Sequence, residues 1–482
     1  MTSTSQEIIS LLNANGVLLD ETINPEDIDF EKLKAYLIAH PDLFMLENIL
    51  PVQKDKNTGI EILQNYTKPS KKRAVGDFVS VFKNRFKLVE KILRTRQEMS
   101  GVTTIKRAKQ HTKDDAVTVI GMIVEKQLTK NNNFILTVED MTDKITIIIT
   151  QKNNDLFELT KDLVLDEIIG IQGVVGDGSL FVKSIIFPDV SLSKELKKSP
   201  YDEHLAIIGD LHAGSQVFME NEFKAAIKWL NGELGSPEQR AIAQKVKYAI
   251  FTGDLVEGVG VYPGQEKDLI IPTIKKQYDH FTSLIKEIRS SIEIIIIPGN
   301  HDAGRLAEPQ APLYKDYAGS VYSLPNVTCL SNPSLVTIGK HKDFSGFKVL
   351  LYHGGSLIYY SDNVPSIRAA GGQKRVDMIM EFLLKRRHLA PTHGSTLYLP
   401  DTELDLLAID DVPDFFITGH IHRASVSNYR NVTLINGSCW TDTTEDQIKR
   451  GLEPQPCQLP VVNLKTRQVQ VLNFLKKNAK SV

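Results

Sequence analysis

Five apolar segments of this 482-residue chain run directly into residues that can bind a metal ion or carry a proton. They are LAIIGDLH at 205–212, YAIFTGDLVEG at 248–258, IEIIIIPGNHD at 292–302, KVLLYHGG at 348–355 and DFFITGHIH at 414–422. The candidate ligands are Asp210, His212, Asp254, Asn300, His353, His420 and His422. Imidazole nitrogens mixed with carboxylate and amide oxygens, without a thiolate, suit manganese, iron or zinc rather than an iron–sulfur or copper(I) site. Seven donors exceed what one catalytic ion uses, whereas two ions sharing a bridging aspartate employ them all. Such a pair can hold the oxygens of a phosphodiester, lower the pKa of a water and stabilise charge on attacking and leaving oxygens. A single Gly-Asp after a strand is ordinarily a turn, and a single His there is ordinarily a satisfied polar residue. Five such endings in one region point instead to a metal centre.

Something must bring residues so far apart in sequence together. In layered α/β sheets the carboxyl ends of the strands line the ligand crevice, so strand endings can converge. From about residue 200 onward the chain alternates apolar strand, polar loop and longer helical pattern, as that architecture requires. Residues 115–195 read differently, with period-two alternation over several short strands and turns at Asn131-Asn132-Asn133 and Gly176-Asp177-Gly178. Five strands in so short a stretch suit a small barrel of the OB-fold type.

The region before the barrel is helical and basic. Ile8, Ile9, Leu11 and Leu12, then Phe30, Leu33, Tyr36 and Leu37, have helical spacing, punctuated by Asn13–Gly16, Asn24-Pro25 and His40-Pro41. Between Lys68 and Gln110 the charge balance becomes strongly basic, with KKR at 71–73 and KRAK at 106–109, while Phe78, Val81, Phe82, Phe86, Val89 and Leu93 predict an amphipathic helix. Its charged face reads equally as a phosphate-contact surface and as a solvated face over an apolar stripe.

Composition removes several classes. With 41% apolar and 24% charged residues and a net charge of -2, the chain has the usage of a globular protein, not a disordered or fibrous one. Its longest aliphatic run, Ile294–Ile297, is far short of the ~20 residues that cross a bilayer. The polar, acidic N-terminus lacks the plan of a secretory signal, which leads to the expectation of a cytoplasmic protein. Three cysteines without C-x-x-C spacing predict buried small residues.

GDLH, GDLVEG, GNHD, His353-Gly354 and GHIH, in this order, resemble the calcineurin-like metallophosphoesterase superfamily. GDLHAGS, GDLVEGVGVYPGQ, PGNHDAGR, LPNV, YHGGSL, RHLAPTHG and VPDFFITGHIHRA more closely resemble the small subunits of archaeal D-family DNA polymerases. The resemblance covers roughly residues 115–475 and implies an OB-fold domain (115–195) followed by a phosphoesterase domain (200–475). With the helical spacing and charge read above, the chain is expected to be multidomain, beginning with a small helical interaction module (1–50) and a basic linker with an amphipathic helix (51–114). The phosphoesterase domain is expected to be an α/β sandwich of two mixed sheets flanked by helices.

The same resemblance implies two divalent ions, manganese first, with iron or zinc also suitable. Asp210, His212, Asp254 and His422 would hold one, and Asp254, Asn300, His353 and His420 the other, with Asp254 bridging. His301 would stand beside the scissile phosphate, with Asp302 orienting it. Arg305 and Arg423 could reach phosphate oxygens, Tyr262 could stack on a base or pack its loop, and His388 and His393 could orient the leaving strand or be structural. Related DNA-repair nucleases carry a second histidine after the Gly-Asp motif, where this chain reads Leu255-Val256-Glu257.

The implied activity is 3'-to-5' exonuclease proofreading on single-stranded or frayed DNA ends by two-metal hydrolysis, beside a large polymerising subunit. An assembly subunit and a free-standing phosphatase or phosphodiesterase are the competing readings. The barrel and the basic block weigh against the free-standing enzyme, since a small soluble substrate needs neither.

Overall fold

The computed structural model describes residues 58–68, 72–401, 403–444, 447, 449 and 451–475, with short stretches at 7–8, 10–12, 18–19, 30–31, 33–34 and 45–46. The chain forms two compact units, Met1–Thr58 and Gly59–Val482. In the first, residues 7–8, 10–12, 30–31 and 33–34 are helical, and Ile8, Leu12 and Leu33 are buried. Leu18–Leu19 also pairs in parallel with Met45–Leu46, an element that the helical spacing of residues 1–50 does not indicate. Ile9, Asn13–Gly16, Asn24-Pro25, Tyr36, Leu37, His40-Pro41 and Lys71 lie outside the described residues.

The second unit begins with strand β1 (Glu61–Gln64) and helix α1 (Val75–Arg94). Strands β2 (Ala116–Leu128), β3 (Phe134–Glu139), β4 (Lys144–Ile149), β5 (Ile168–Val175) and β6 (Ser179–Ile186) then close into a barrel in the order β2-β3-β4-β6-β5. All neighbours are antiparallel except β4 and β6. Alternate residues fill the interior, Phe134, Leu136 and Val138 from β3 and Ile145, Ile147 and Ile149 from β4. The helix Asn154–Lys161, capped by the side chain of Asn153, links β4 to β5.

Two six-stranded mixed sheets follow. Their strands are β7 (His204–Ile208), β8 (Val246–Phe251), β9 (Glu293–Ile296), β10 (Val327–Cys329), β11 (Ser334–Ile338), β12 (Phe347–Tyr352), β13 (Phe415–Thr418), β14 (Ser425–Tyr429), β15 (Val432–Asn436), β16 (Gln458–Asn463) and β17 (Val469–Asn473). The orders are β10-β9-β8-β7-β16-β17 and β14-β15-β13-β12-β11-β1. β7 to β10 are mutually parallel, as are β12, β13 and β15.

Period-two alternation sorts the apolar side chains between layers. Leu205, Ile207, Ile250, Ile295, Val349, Leu351, Phe415 and Ile417 fill the space between the sheets. Ala206, Ile208, Phe251 and Ile294 face the helices Glu220–Leu230 and Ile274–Ile285, and Leu350, Tyr352 and Phe416 face the helix Val376–Arg386. Strands buried on both faces read as continuous apolar runs for this reason. Each fully buried Ile contributes about 1.5–3 kcal/mol. No helix among the described residues is long and apolar enough to cross a membrane.

Two features of residues 51–114 correct the reading of that segment as a linker. β1 adds an edge strand to the second sheet, pairing Ile62 with Val336, and Tyr66 donates its amide to Ser331 Oγ at 2.8 Å. α1 buries Phe86, Val89 and Leu93 against Met99, in the turn that follows it, and against Ile120, Met122, Ile168 and Ile186 on the barrel. Part of its positive charge is structural: Arg85 is 4% exposed, and its guanidinium donates to Asp405 Oδ2 and to the Pro391 carbonyl, both at 2.7 Å.

His388 and Tyr398 complete this buried network on Asp405, at 2.9 and 3.1 Å. Burial alone would raise the Asp405 carboxyl, but the charge of Arg85 and the contact with His388 outweigh it and hold the group far below the usual carboxylate range. Its contribution is therefore full above the ordinary Asp value and disappears only as pH falls through the depressed native one. Asp405→Ala is expected to cost about 3–5 kcal/mol in urea unfolding at neutral pH. Removing the exposed Arg94–Glu90 pair with Glu90→Ala should cost less than about 1 kcal/mol.

Candidate metal centre

The carboxyl ends of β7, β8, β9, β12 and β13 lie together, and the turns leaving them bring all seven candidate ligands to one place. Three of those residues hold left-handed backbone conformations, with φ of 53° at His212, 48° at Asp254 and 67° at His420. For a residue with a side chain this costs roughly 1–2 kcal/mol, and such strain concentrates at functional sites. The neighbouring glycines are required by close approach. A Cβ on Gly299 would collide with the carboxylate and amide of Asp254, and one on Gly419 would lie 2.7 Å from Asp210 Oδ1.

Asp210, His212 and His422 can present ligand atoms that all lie within 4.8 Å of one another, and so can Asp254, His353 and His420. In the first group His422 Nε2 is 3.3 Å from both Asp210 Oδ2 and His212 Nε2. In the second, His353 Nε2 is 3.4 Å from Asp254 Oδ2 and 3.0 Å from Asn300 Oδ1. His212 Nε2 also lies 3.8 Å from Asp254 Oδ2, so Asp254 faces both groups. These donors, nitrogens and oxygens converging without a thiolate, match what divalent manganese, iron or zinc accepts.

Hydrogen bonds outside the cluster aim its members. His353 Nδ1 meets the Thr252 carbonyl at 2.8 Å, and its amide donates to Asn332 Oδ1 at 2.8 Å. The Asp210 carboxylate accepts the His420 amide, and Asp254 Oδ1 accepts the His301 amide at 2.8 Å. Burial favours the uncharged form of Asp254, yet the charge of His353 and His301 holds it well below the usual carboxylate range. Asp254 conversely overrides burial at His353 and pushes it up to about 10, while burial and the charge of His353 push His420 down to about 4.

His301 stands beside this cluster, its ring centroid 4.5 Å from that of His212. Its Nδ1 meets the main-chain carbonyl of Glu257 at 2.8 Å. Asp302 is not its orienting partner among the described residues. The buried Asp302 carboxylate instead accepts from the Gly299 amide, the Leu255 amide and the Tyr278 hydroxyl, at 2.8, 3.3 and 3.0 Å. It ties two ligand-bearing turns to the helix Ile274–Ile285, and burial with the nearby Asp254 charge raises its pKa to about 7.

The three proposed substrate contacts divide. Arg423 lines a groove of about 520 Å³ that opens beside His420 and His422 and also holds Arg368 and Lys374. Arg305 turns away, its guanidinium 4.7 Å from the Tyr66 ring centre and its Nε donating to the Pro309 carbonyl at 3.0 Å. Tyr262 places its hydroxyl 3.2 Å from Glu257 Oε1 and 3.0 Å from Asp268 Oδ2, with its ring in a T-shaped arrangement with that of His301. His388 belongs to the Asp405 network, and His393 packs edgewise against Phe78 and Phe82 of α1. Sequence reasoning missed Glu257 as a partner of both His212 and His301, although GDLVEG places it three residues after Asp254.

Residues 204–424 match the family model for calcineurin-like phosphoesterases. The chain is 36% identical to the DNA polymerase II small subunit of Methanothermobacter thermautotrophicus, over 96% of this chain and 92% of that protein. It is 34% identical to the protein of the same name from Pyrococcus horikoshii, over 98% and 78%, and 36% identical to that of Archaeoglobus fulgidus, over 92% and 87%.

The contact at Gly299 is directly testable. Gly299→Ala drives a methyl group into Asp254, and calorimetric titration with Mn2+ should show affinity reduced at least ~10-fold in a chain that retains its circular dichroism. Wild-type affinity in the variant would mean that the turn yields without moving the carboxylate.

Proposed function

Because the chain belongs to the family of archaeal DNA polymerase II small subunits and carries a calcineurin-like phosphoesterase domain, we propose that it is a metal-dependent 3'-to-5' exodeoxyribonuclease. It would proofread for a large catalytic subunit and release nucleoside 5'-monophosphates. The observation that carries this reading is the convergence of Asp210, His212, Asp254, Asn300, His353, His420 and His422, with His301 beside them. Asp210, His212, Asp254 and His422 would hold one divalent ion and Asp254, Asn300, His353 and His420 the other, manganese being the first choice. When bound, such ions supply Lewis acidity toward phosphate oxygens and a water of lowered pKa.

The chain's own groups do the rest. His301, with Nδ1–H committed to the Glu257 carbonyl, offers Nε2 to the substrate; as the imidazolium it would pass its Nε2 proton to the leaving 3'-oxygen and remain as the neutral Nδ1–H ring. The groove beside His420 and His422 would take the strand end, with Arg368, Lys374 and Arg423 lining it; Glu453 pairs with Lys374 at 2.7 Å and lies 4.0 Å from Arg423, so a phosphate would displace it to reach them. The barrel, with its strand order, one parallel pair and a helix between its third and fourth strands, is proposed to be an OB-fold that contacts single-stranded DNA or the large subunit. Residues 1–50 would be a further contact with that subunit.

A 5'-labelled primer with a mismatched 3' end, incubated with Mn2+ and the chain alone or with its large subunit, tests the proposal. A ladder receding stepwise from the 3' end is expected, with His301→Ala slower by about 10²–10⁴-fold and its metal content unchanged. No digestion in either state by protein carrying two ions would leave assembly of the polymerase as the function of this chain.

A further inference from the structure

Glu257 is a buried carboxylate, 5% exposed, in the loop that follows β8. An acid in that position needs hydrogen-bond donors to offset its burial. Its side chain hydrogen-bonds one histidine and its main chain another, while Oε1 stands 3.8 Å from Nδ1 of His301, beyond hydrogen-bond reach. Oε2 lies 2.9 Å from Nδ1 of His212, and the main-chain carbonyl lies 2.8 Å from Nδ1 of His301. Carboxylate and carbonyl oxygens only accept, so both imidazoles must carry a proton on Nδ1, and each Nε2 is turned toward the centre.

The remaining contacts make Glu257 rigid. Gln265 Nε2 donates to its carbonyl and to Oε1 at 2.9 and 3.1 Å, and the Tyr262 hydroxyl lies 3.2 Å from Oε1. Gln277 accepts from the Gly258 amide at 2.9 Å and donates to the Gly258 carbonyl at 3.1 Å, fixing the next peptide. The hydrogen bonds of His212 and His301 lead into one residue, which is held by Gln265 and Tyr262, while Gln277 holds its neighbour Gly258.

The geometry points to Glu257 as a positioning residue that sets tautomer and ring orientation for two histidines at once. Its carboxylate acts on the candidate ligand His212, and its carbonyl acts on the candidate proton donor His301. The inference rests on the metal-centre reading of the site. It also separates two roles within one residue, because a side-chain substitution removes the carboxylate and keeps the carbonyl. His212, Glu257 and His301 can present ligand atoms within 4.8 Å of one another. With both Nδ1 protons committed to Glu257, this trio is a hydrogen-bonded brace and not a third ion site.

The test uses full-length chain, with Glu257→Ala and the near-isosteric Glu257→Gln, which still offers an amide oxygen. Metal-free samples labelled with 15N-histidine report tautomers by NMR, and calorimetry with Mn2+ reports affinity. Wild type should show His212 and His301 protonated on Nδ1 and should bind two ions. Glu257→Ala should release His212 from that tautomer while His301 keeps it, and should weaken Mn2+ binding about 10–100-fold, with Glu257→Gln intermediate. An unchanged His212 tautomer with wild-type affinity in folded Glu257→Ala overturns the proposal while leaving the metal reading intact. Wild type that takes up no Mn2+ overturns both, and a third ion bound by wild type and lost in Glu257→Gln overturns the brace.

Discussion

Two aspartates, Asp210 and Asp254, are 0% and 2% exposed at the ends of neighbouring parallel strands, and the surrounding structure answers the cost of burying them. Two carboxylates so placed are tolerated only where positive charge or strong donors converge on both. The chain supplies amide donors from His301 and His420 and the imidazoles of His212, His353 and His422. The same convergence is what a pair of divalent ions requires. The sandwich makes it possible because one sheet sends the ends of β7, β8 and β9 to the site and the other sends those of β12 and β13. The apolar layer between the sheets fixes the distance between those two sets of ends.

Around that cluster runs a shell of buried polar side chains that bind one another and the main chain. Gln310 donates to the Gly299 carbonyl, Asn332 donates to Gln310 and accepts the His353 amide, and Glu308 accepts the Tyr352 hydroxyl. This series links the turn after β9 to the turn after β12 across the two sheets. Asp302 and Tyr278 do the same between β8, β9 and the helix behind them. Turns held in this way can keep left-handed conformations at His212, Asp254 and His420, because relaxing one of them would break several hydrogen bonds in its neighbours.

The strand endings were legible because a doubly buried strand is a continuous apolar run, and Gly followed by Asp, Asn or His marks where it stops. The helix over residues 75–94 was legible from the spacing of Val81, Phe86, Val89 and Leu93. What a charged residue touches was not. Arg85 sits in a basic block and reads as surface, yet its guanidinium is buried on Asp405, a residue 320 positions away. Glu61–Gln64 reads as linker because an edge strand of four residues, three of them exposed, has too little apolar pattern to reveal its partner. Asp302 stands next to His301 in sequence, but adjacent side chains leave the main chain in different directions, so the nearer acid serves the turn and Glu257 serves the histidine.

A family resemblance supplies the chemistry of such a centre, but only the folded arrangement shows how tightly the protein constrains it. Mn-edge anomalous diffraction from crystals of the full-length chain grown with Mn2+ tests that account most directly. The expected result is two peaks that both touch Asp254, one beside Asp210, His212 and His422 and the other beside Asn300, His353 and His420. A single peak, or none in protein saturated with Mn2+, would contradict it.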